Sequence, residues 1–496
     1  MVITVKYGYM AERKPLRLNI KDILTKNWLS ILIITVGTFL RFFQLEPFAT
    51  FLGDQGRDAI IVKRILTLEH LPAIGAPASV GMVYLGPFYY YFIAPWLWLF
   101  NFNPLGLAVC VAFFSSLYLL INYIVVKEIV DKKTALISTL LLSFSSVIIE
   151  YSRFSWNPNL QPLFVTLSVY FLYRSVKNNR WWEYGLTGAL MAFTFQLHYL
   201  SAFLVVFGLI YYLITGLIQK KIIRNIKNYF VWGMSFIFFS IPLLIFDLRH
   251  QFLNTKNFIK MFTQEKPVAT NKIANLIDAF SSLNQYLFQT KINSLILVVI
   301  FLAIAFSTYF LVKKKHPAGF IFSAFIFVFL GISLYGGPKF PHYFLAVYPL
   351  YIMVLAFIFS GNWTNKLNVV LTSLFLIAFI ALNVQKYSFL FTQPSKQIEH
   401  SRNVGNFLNK VIDQNKFSFA VQPDDWQEDT YLYFLELKGK IPVDRKKIEI
   451  SNQMFVVCGN NCDLYHTPSW NVNMFGKFRI NNNWTVDNVK IYKLIR

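Results

Sequence analysis

Charge is scarce in this chain: Asp, Glu, Lys and Arg make up 14% of 496 residues, against about 25% in an ordinary soluble domain. That excludes a string of water-soluble domains. Cysteine is nearly absent, three in all, which excludes a disulfide-framed scaffold. No Gly-rich loop follows a strand and opens a helix, so nothing marks a nucleotide site. No cleavable signal is present either, because the first apolar run follows a polar leader and is itself long enough to span a bilayer. Acidic residues are the scarcer sign, 24 against 47 basic, for a formal charge of +23. In a soluble protein that excess would point to nucleic acid; here the basic residues have to be located first. What is abundant is apolar: 55% hydrophobic, 52 Phe and a mean hydropathy of +0.46. The Phe content, alongside abundant Ile, Lys and Asn, reads as compositional bias and carries no functional weight. The chain is an integral membrane protein.

A transmembrane helix needs about 20 mostly apolar residues. Such runs lie near Trp28–Leu45, Pro104–Val126, Thr134–Ile149, Leu160–Tyr173, Tyr184–Leu197, Ser201–Ile218, Tyr229–Phe246, Ser294–Val312, Ala318–Tyr335, Tyr343–Ser360 and Leu367–Leu382. A further stretch, Leu85–Phe100, is aromatic and interrupted by Pro87 and Pro95. The basic clusters Lys127/Lys132/Lys133, Arg174/Lys177/Arg180, Lys220/Lys221/Arg224/Lys227 and Lys313–Lys315 join the leader on one side only if that stretch does not cross. The positive-inside rule then gives about eleven spans and a cytoplasmic N-terminus. The charge excess is therefore mostly a topology signal.

The expected organisation is a leader over 1–27, a membrane domain over 28–385 with its first outer loop at 46–103, and a small extracytoplasmic α/β domain over 386–496. In that tail Phe417–Val421, Met454–Cys458 and Val489–Leu494 read as strands. Cys458 and Cys462 could close a five-residue ring or remain free thiols; Cys110 lies inside a span as a small apolar residue.

Ionisable groups at membrane boundaries are costly and tend to be functional, and here they collect in the loops of the outer face. The first loop carries Asp54, Arg57 and Asp58, followed by an amphipathic stretch from Ile60 to Leu71 with Lys63 and Arg64 on its polar side. Such a helix would lie in the interface plane; Asp54 could equally be its N-cap. Further along come Glu150, Tyr151 and Arg153, the turn holding His198, the cluster Asp247/Arg249/His250, and Lys339/His342/Tyr343. Each alone could be a snorkelling boundary cluster or an aromatic-belt anchor. Together they offer carboxylates to act as base, cations for a leaving phosphate and aromatics for a sugar face. That is the chemistry of sugar transfer from a lipid-phosphate donor.

The same residues resemble the GT-C glycosyltransferases of the dolichyl-phosphate-mannose protein mannosyltransferase and aminoarabinose transferase type. Asp54-Gln55-Gly56-Arg57-Asp58-Ala59 is similar to that family's D-E-x-R-Y-A motif, departing at Gln55 and Asp58. Gly86-Pro87-Phe88-Tyr89-Tyr90-Tyr91 resembles its P-P-L-x-Y-Y segment, with Gly86 where a basic or imidazole residue often stands. Glu150–Arg153 and Lys339–Pro349 resemble its second acidic motif and its late R-Y-x-L-P-x-x-P motif, with His342 where Arg is common. The resemblance spans roughly residues 28–385; the tail beyond has no clear counterpart.

It implies an inverting transfer of a monosaccharide from a polyprenyl-phosphate donor to a protein, lipid or glycan acceptor on the extracytoplasmic face. Asp54 would be the general base, and Glu150 a second carboxylate that positions the acceptor or holds a metal. Arg57, Arg153, Arg249, Lys339 and His342 would contact phosphate, and His198 and Asp247 the sugar or acceptor. Asp58, Tyr89, Tyr151, His250 and Tyr343 complete the expected substrate site. No resident cofactor or compelling metal cluster is expected, although Asp54, Asp58 and Glu150 could share a divalent ion. Carboxylate–guanidinium pairs are expected in the resting protein, because unpaired buried charges are expensive. The partners implied are the donor, the acceptor and membrane lipid, not nucleic acid. The alternatives are a lipid-linked-sugar flippase, which would carry its polar groups near the bilayer midplane, and an oligosaccharide ligase using a lipid-diphosphate donor. A structural membrane protein with a partner-binding tail is the remaining one.

Overall fold

The computed structural model describes residues 20–78, 82–263, 271–361, 363–413, 416–423, 427–443, 449, 451–459, 462–466 and 468–496. Most of the expected leader, residues 1–19, lies outside them. The chain enters through α1 (Ile20–Phe42) and a short α2 (Leu45–Phe48). The first outer loop then folds into α3 (Gly53–Leu66) and α4 (Phe88–Leu99). Helix α4 has only 12 residues, about 18 Å of rise against a hydrocarbon core of about 30 Å. It buries Tyr89, Tyr90, Ile93, Ala94 and Leu97, and its length falls short of a span on its own.

The apolar runs become α5 (Leu105–Ile129), α6 (Lys132–Phe144), α7 (Ser146–Glu150), α8 (Gln161–Asn178), α9 (Trp181–Leu197), α10 (Ala202–Ile218) and α11 (Ile222–Arg249). The run expected as one helix over Thr134–Ile149 is broken at Ser145, whose backbone is extended. Asn383 compensates there: its Oδ1 accepts from Ser146 N at 2.8 Å and Ser146 Oγ at 2.9 Å. Next come α12 (Leu253–Thr263) and α13 (Lys272–Phe288), inside the stretch Asp247–Asn293 that was expected to be loop. In α13, Ala279, Phe280, Leu283 and Leu287 are all buried at helical spacing. Its 17 residues and polar remainder fall short of a span, so its sequence carries no transmembrane signal.

Four more helices complete the membrane domain: α14 (Ser294–Lys313), α15 (Ala318–Ser333), α16 (Tyr348–Phe359) and α17 (Lys366–Val384). The run expected to be helical from Tyr343 begins instead with a tight turn over Pro341–Phe344, and α16 starts at Tyr348. Pro349 in the first turn of α16 gives up no helical hydrogen bond. Among the described helices, five are long and apolar enough to cross a bilayer on their own: those ending at Ile129, Ile218, Arg249, Lys313 and Val384. On α14 only Leu297 and Ile304 are buried, while Leu295, Val299, Leu302 and Phe306 are exposed. That surface is too apolar for water and faces lipid.

After α18 (Ser388–Phe391) the tail forms α19 (Gln397–Val411), β1 (Ser418–Gln422), α20 (Glu428–Glu436), β2 (Gln453–Cys458), α21 (Trp470–Phe475), β3 (Arg479–Val486) and β4 (Val489–Ile495). The sheet order is β1-β2-β4-β3, with β1 parallel to β2 and the other pairs antiparallel. All six residues of β2 are buried, as the central parallel partner requires. Strand β3 escaped the sequence because it is polar and mostly exposed. The turn Asp487-Asn488, with φ of 48° and 66°, marks the two-residue hairpin that makes it a strand. Cys458 and Cys462 are joined as a disulfide.

The tail docks on the first outer loop. At Gly56 of α3 a Cβ would stand 2.5 Å from the backbone of Asp429 and Thr430 at the start of α20, so only glycine permits the approach. Arg64 grips Glu436 with Nε and Nη2, each at 2.8 Å, and Tyr433 Oη donates to Phe102 O at 2.6 Å. The expected amphipathic helix thus forms, but Lys63 and Arg64 meet Glu436 rather than lipid head groups, and Ile60 and Ile65 face protein core. Gly56→Val should prise α20 from α3, an overpacking cost of about 1–3 kcal/mol. The expected readouts are a lower Tm and faster proteolysis of the tail in intact vesicles.

Candidate active site

Helix α3 starts where Gln55 turns back on the chain, its Oε1 accepting from Leu52 N at 3.0 Å. Capping therefore falls to Gln55, and Asp54 is left in the first turn, where the helix N-terminus favours a carboxylate. Arg57, one turn on, donates Nη1 to Asp54 Oδ1 at 2.7 Å. Its Nε and Nη2 reach Asp58 Oδ1 at 3.0 and 2.7 Å. The expected carboxylate–guanidinium pairing is present, with one guanidinium between two carboxylates. The two differ in exposure: the Asp54 side chain is 47% exposed and that of Asp58 0%. Burial pushes the Asp58 carboxyl up to about 6 against the pull of Arg57. Asp58 Oδ2 and the Tyr90 hydroxyl are both buried without a hydrogen-bond partner among the described residues.

Asp54, Arg57 and Arg64 line one wall of a cavity of about 1130 Å³. Phe154 and Trp156 of the second loop form another, and Asp429, Glu436 and Lys440 of the tail close it. Burial raises the Asp429 carboxyl, opposed by Arg57 and Arg64. The tail groups had no place in the sequence reading, and Arg64 was expected only on the polar side of an amphipathic helix. Their only signal was the pairing of an acidic α20 with a basic α3, far apart in the chain.

The second loop enters the cavity as an aromatic row. Trp156 lies 6.3 Å from Phe154 and 6.4 Å from Tyr151, both stacked, and Tyr89 Oη shares a 2.5 Å hydrogen bond with Ser155 Oγ. Asn157 Nδ2 donates to Leu197 O at 2.6 Å, tying this loop to the His198 turn. Trp156 also meets His342 edge-on at 4.7 Å, and His342 lies 6.0 Å from His198, which packs on Tyr343 at 5.6 Å. Three loops distant in sequence thus converge as expected. Burial lowers His198 to about 3, with His342 adding to the effect, and lowers His342 to about 4. Burial favours the neutral form of both imidazoles near pH 7, so His342 does not bring the positive charge that its expected role as a phosphate contact would use.

Glu150 opens into an adjoining cleft of about 200 Å³ that shares Thr50 and Phe154 with the main cavity, and burial raises its carboxyl. Arg153 departs from its expected role as a phosphate contact. It donates to the carbonyls of Leu40, Arg41, Phe43 and Gln44 and lies 4.3 Å from the Phe389 ring centre. It pins the end of α1. Asp247 likewise organises backbone, accepting from Asn254 N at 2.7 Å and from the Thr255 hydroxyl. Lys339 stands 3.6 Å from Asp278; burial lowers its ammonium, with Asp278 opposing. Arg249 and His250 are exposed, and His250 stacks on Phe246 at 4.2 Å. Neither borders the Asp54 cavity.

Arg57 fills the position between the two aspartates, and Glu150 faces the neighbouring cleft. Among the described residues no three His, Cys, Asp or Glu side chains stand close enough to hold a metal.

The Asp58 shift has a measurable sign. Its folded value of about 6 exceeds the ordinary 3.8, so between these the folded chain keeps a proton that the unfolded chain releases. Its contribution to stability is therefore full below about pH 4 and lost as pH rises through about 6. Asp58→Asn should flatten the dependence of Tm on pH over that window, as read by thermal unfolding in detergent.

Comparison with known proteins follows the same lines. The family model of the dolichyl-phosphate-mannose-protein mannosyltransferases matches residues 85–246. No curated protein sequence matches. Among solved structures, ArnT from Cupriavidus metallidurans bound to undecaprenyl phosphate aligns with a TM-score of 0.61 at 12% identity, over 94% of this chain and 98% of that one. Its apo state gives 0.62 at 12% identity, over 95% and 98%. The archaeal oligosaccharyltransferase AglB from Archaeoglobus fulgidus, in complex with an inhibitory peptide and a dolichol-phosphate, gives 0.52 at 12% identity, over 88% of this chain and 70% of that one. The chain is a polytopic helical membrane protein with the fold of ArnT, and its residues 85–246 are similar to the dolichyl-phosphate-mannose-protein mannosyltransferases.

Proposed function

We propose that this protein transfers a monosaccharide from a polyprenyl-phosphate donor to a protein, lipid or glycan acceptor at the Asp54 cavity, with inversion. The observation that carries the reading is the wall of α3, where an exposed carboxylate stands beside a guanidinium that buried Asp58 holds in place. Asp54 accepts the proton of the acceptor hydroxyl or amine as that atom bonds to the anomeric carbon. The bond from that carbon to phosphate oxygen breaks, and its electron pair leaves on polyprenyl phosphate. Arg57 uses three of its five N–H donors on the aspartates, which leaves two for phosphate, and Arg64 adds a second cation on the same wall. Trp156 and Phe154 offer flat apolar faces to the sugar, and neutral His342 beside Trp156 can hydrogen-bond a hydroxyl without attracting the phosphate. Structures of this fold with undecaprenyl phosphate and with dolichol-phosphate support a lipid-phosphate donor. Glu150, in the adjoining cleft, suits an acceptor-positioning role. The cavity faces the extracytoplasmic side in this reading, with the N-terminus cytoplasmic and the tail outside.

Asp54→Asn should lower transfer by about 10²–10⁴-fold with Tm and donor retention unchanged, measured as glycosylated product by mass spectrometry across several polyprenyl-phosphate sugars. Near-normal turnover would remove the base assignment. Single cysteines at Asn103 and Asn293 should react with an impermeant maleimide in intact cells, and labelling only after permeabilisation would invert the topology.

A further inference from the structure

A second polar cavity, of about 460 Å³, lies where α8 ends, α10 ends and α11 begins. Helix α8 leaves the second loop at Gln161 and runs 18 residues, about 27 Å of rise. The cavity is therefore at the membrane face opposite Asp54. Its lining includes Tyr173, Lys177, Asn179, Tyr211, Lys221 and Asn225.

Three observations give it the character of a ligand site. Neither Lys177 nor Lys221 has a carboxylate within ion-pair distance among the described residues; Lys177 stands 5.6 Å from the Tyr173 ring centre instead. The neighbouring Arg174, by contrast, is matched to Glu183 and Glu128. Asn225 is 7% exposed and borders this cavity, yet its Oδ1 has no hydrogen-bond partner among the described residues. A buried unmade hydrogen bond is expensive, and the cost disappears when a ligand hydroxyl donates to it. The same helix ends also expose Leu217, Ile218 and Ile223, at 63%, 74% and 86%. Two ammonium groups without carboxylate partners, an orphaned acceptor and exposed apolar side chains at the adjoining helix ends together match an anionic lipid.

We propose that this cavity binds the head group of an anionic phospholipid. Lys177 and Lys221 pair with its phosphate, the Asn225 carboxamide hydrogen-bonds a head-group hydroxyl, and the acyl chains lie along Leu217, Ile218 and Ile223. The site is separate from the Asp54 cavity and does not depend on the transferase reading.

The test is native mass spectrometry and thermal unfolding of the full chain with phosphatidylglycerol, phosphatidylcholine or inorganic phosphate. Phosphatidylglycerol should be retained and raise Tm, and phosphatidylcholine should do neither. Each lysine replaced should cost about fivefold in affinity, so Lys177→Gln with Lys221→Gln should bind about 25-fold more weakly. Asn225→Asp, nearly isosteric, should also weaken retention by setting a like charge beside the phosphate. The double lysine variant should match the parent Tm when no lipid is added. Equal retention of phosphatidylcholine, or unchanged retention by both variants, would overturn the proposal. Stabilisation by inorganic phosphate as large as that by the lipid would reassign the site to a soluble anion.

Discussion

The candidate site depends on one contact, the seating of α20 on α3. Without it Asp429, Glu436 and Lys440 are absent and the Asp54 cavity is an open groove. The ion pair of Arg64 with Glu436 is bidentate, which fixes direction, but Arg64 is 40% exposed and such pairs contribute little net stability. The closeness comes from Gly56, which lets the two backbones meet, and from the buried faces of Tyr433 and Phe434 against the membrane domain. Glu436, nearly buried, then needs its cations: losing both Arg64 and Lys63 would strand a charge in low dielectric.

Charge placement on α3 follows the same economy of solvation. Asp58 is tolerable in the interior only because Arg57 meets it, and Arg57 is thereby oriented for Asp54. In the proposed reading the exposed carboxylate is the one that takes a proton from a substrate, and the buried one sets its geometry. Around Trp156 the reverse holds. Among the described residues neither imidazole is paired with a carboxylate, so burial favours their neutral forms, and that corner of the cavity offers hydrogen bonds and ring faces rather than charge.

Much of this was legible in the sequence. A bilayer demands long apolar runs, so helices such as Ser294–Lys313 and Leu105–Ile129 stand out, and basic clusters separate the loops by side. Asp54, Arg57 and Asp58 were legible because they lie within one helical turn of one another. Residues whose partners are remote were not. Arg64 meets Glu436 across 372 positions, and Arg153 serves carbonyls at the end of α1 more than a hundred residues earlier. An arginine at a membrane boundary looks the same in sequence whether it awaits a phosphate or caps a helix. Gly86 illustrates the point: a Cβ there would meet Gln196 at 2.2 Å, so packing accounts for its departure from the related motif.

The lipid-facing helix α14 shows how such a protein can change its sequence and keep its shape. With only Leu297 and Ile304 buried, most of its positions are judged by hydrocarbon, which distinguishes apolar from polar but hardly one apolar side chain from another. Drift among Leu, Ile, Val and Phe is nearly neutral over such surfaces. Selection on residue identity is then concentrated where protein meets protein, at α3, the second loop and α20. A fold shared at 12% identity over nearly the whole chain is what that division of constraints produces.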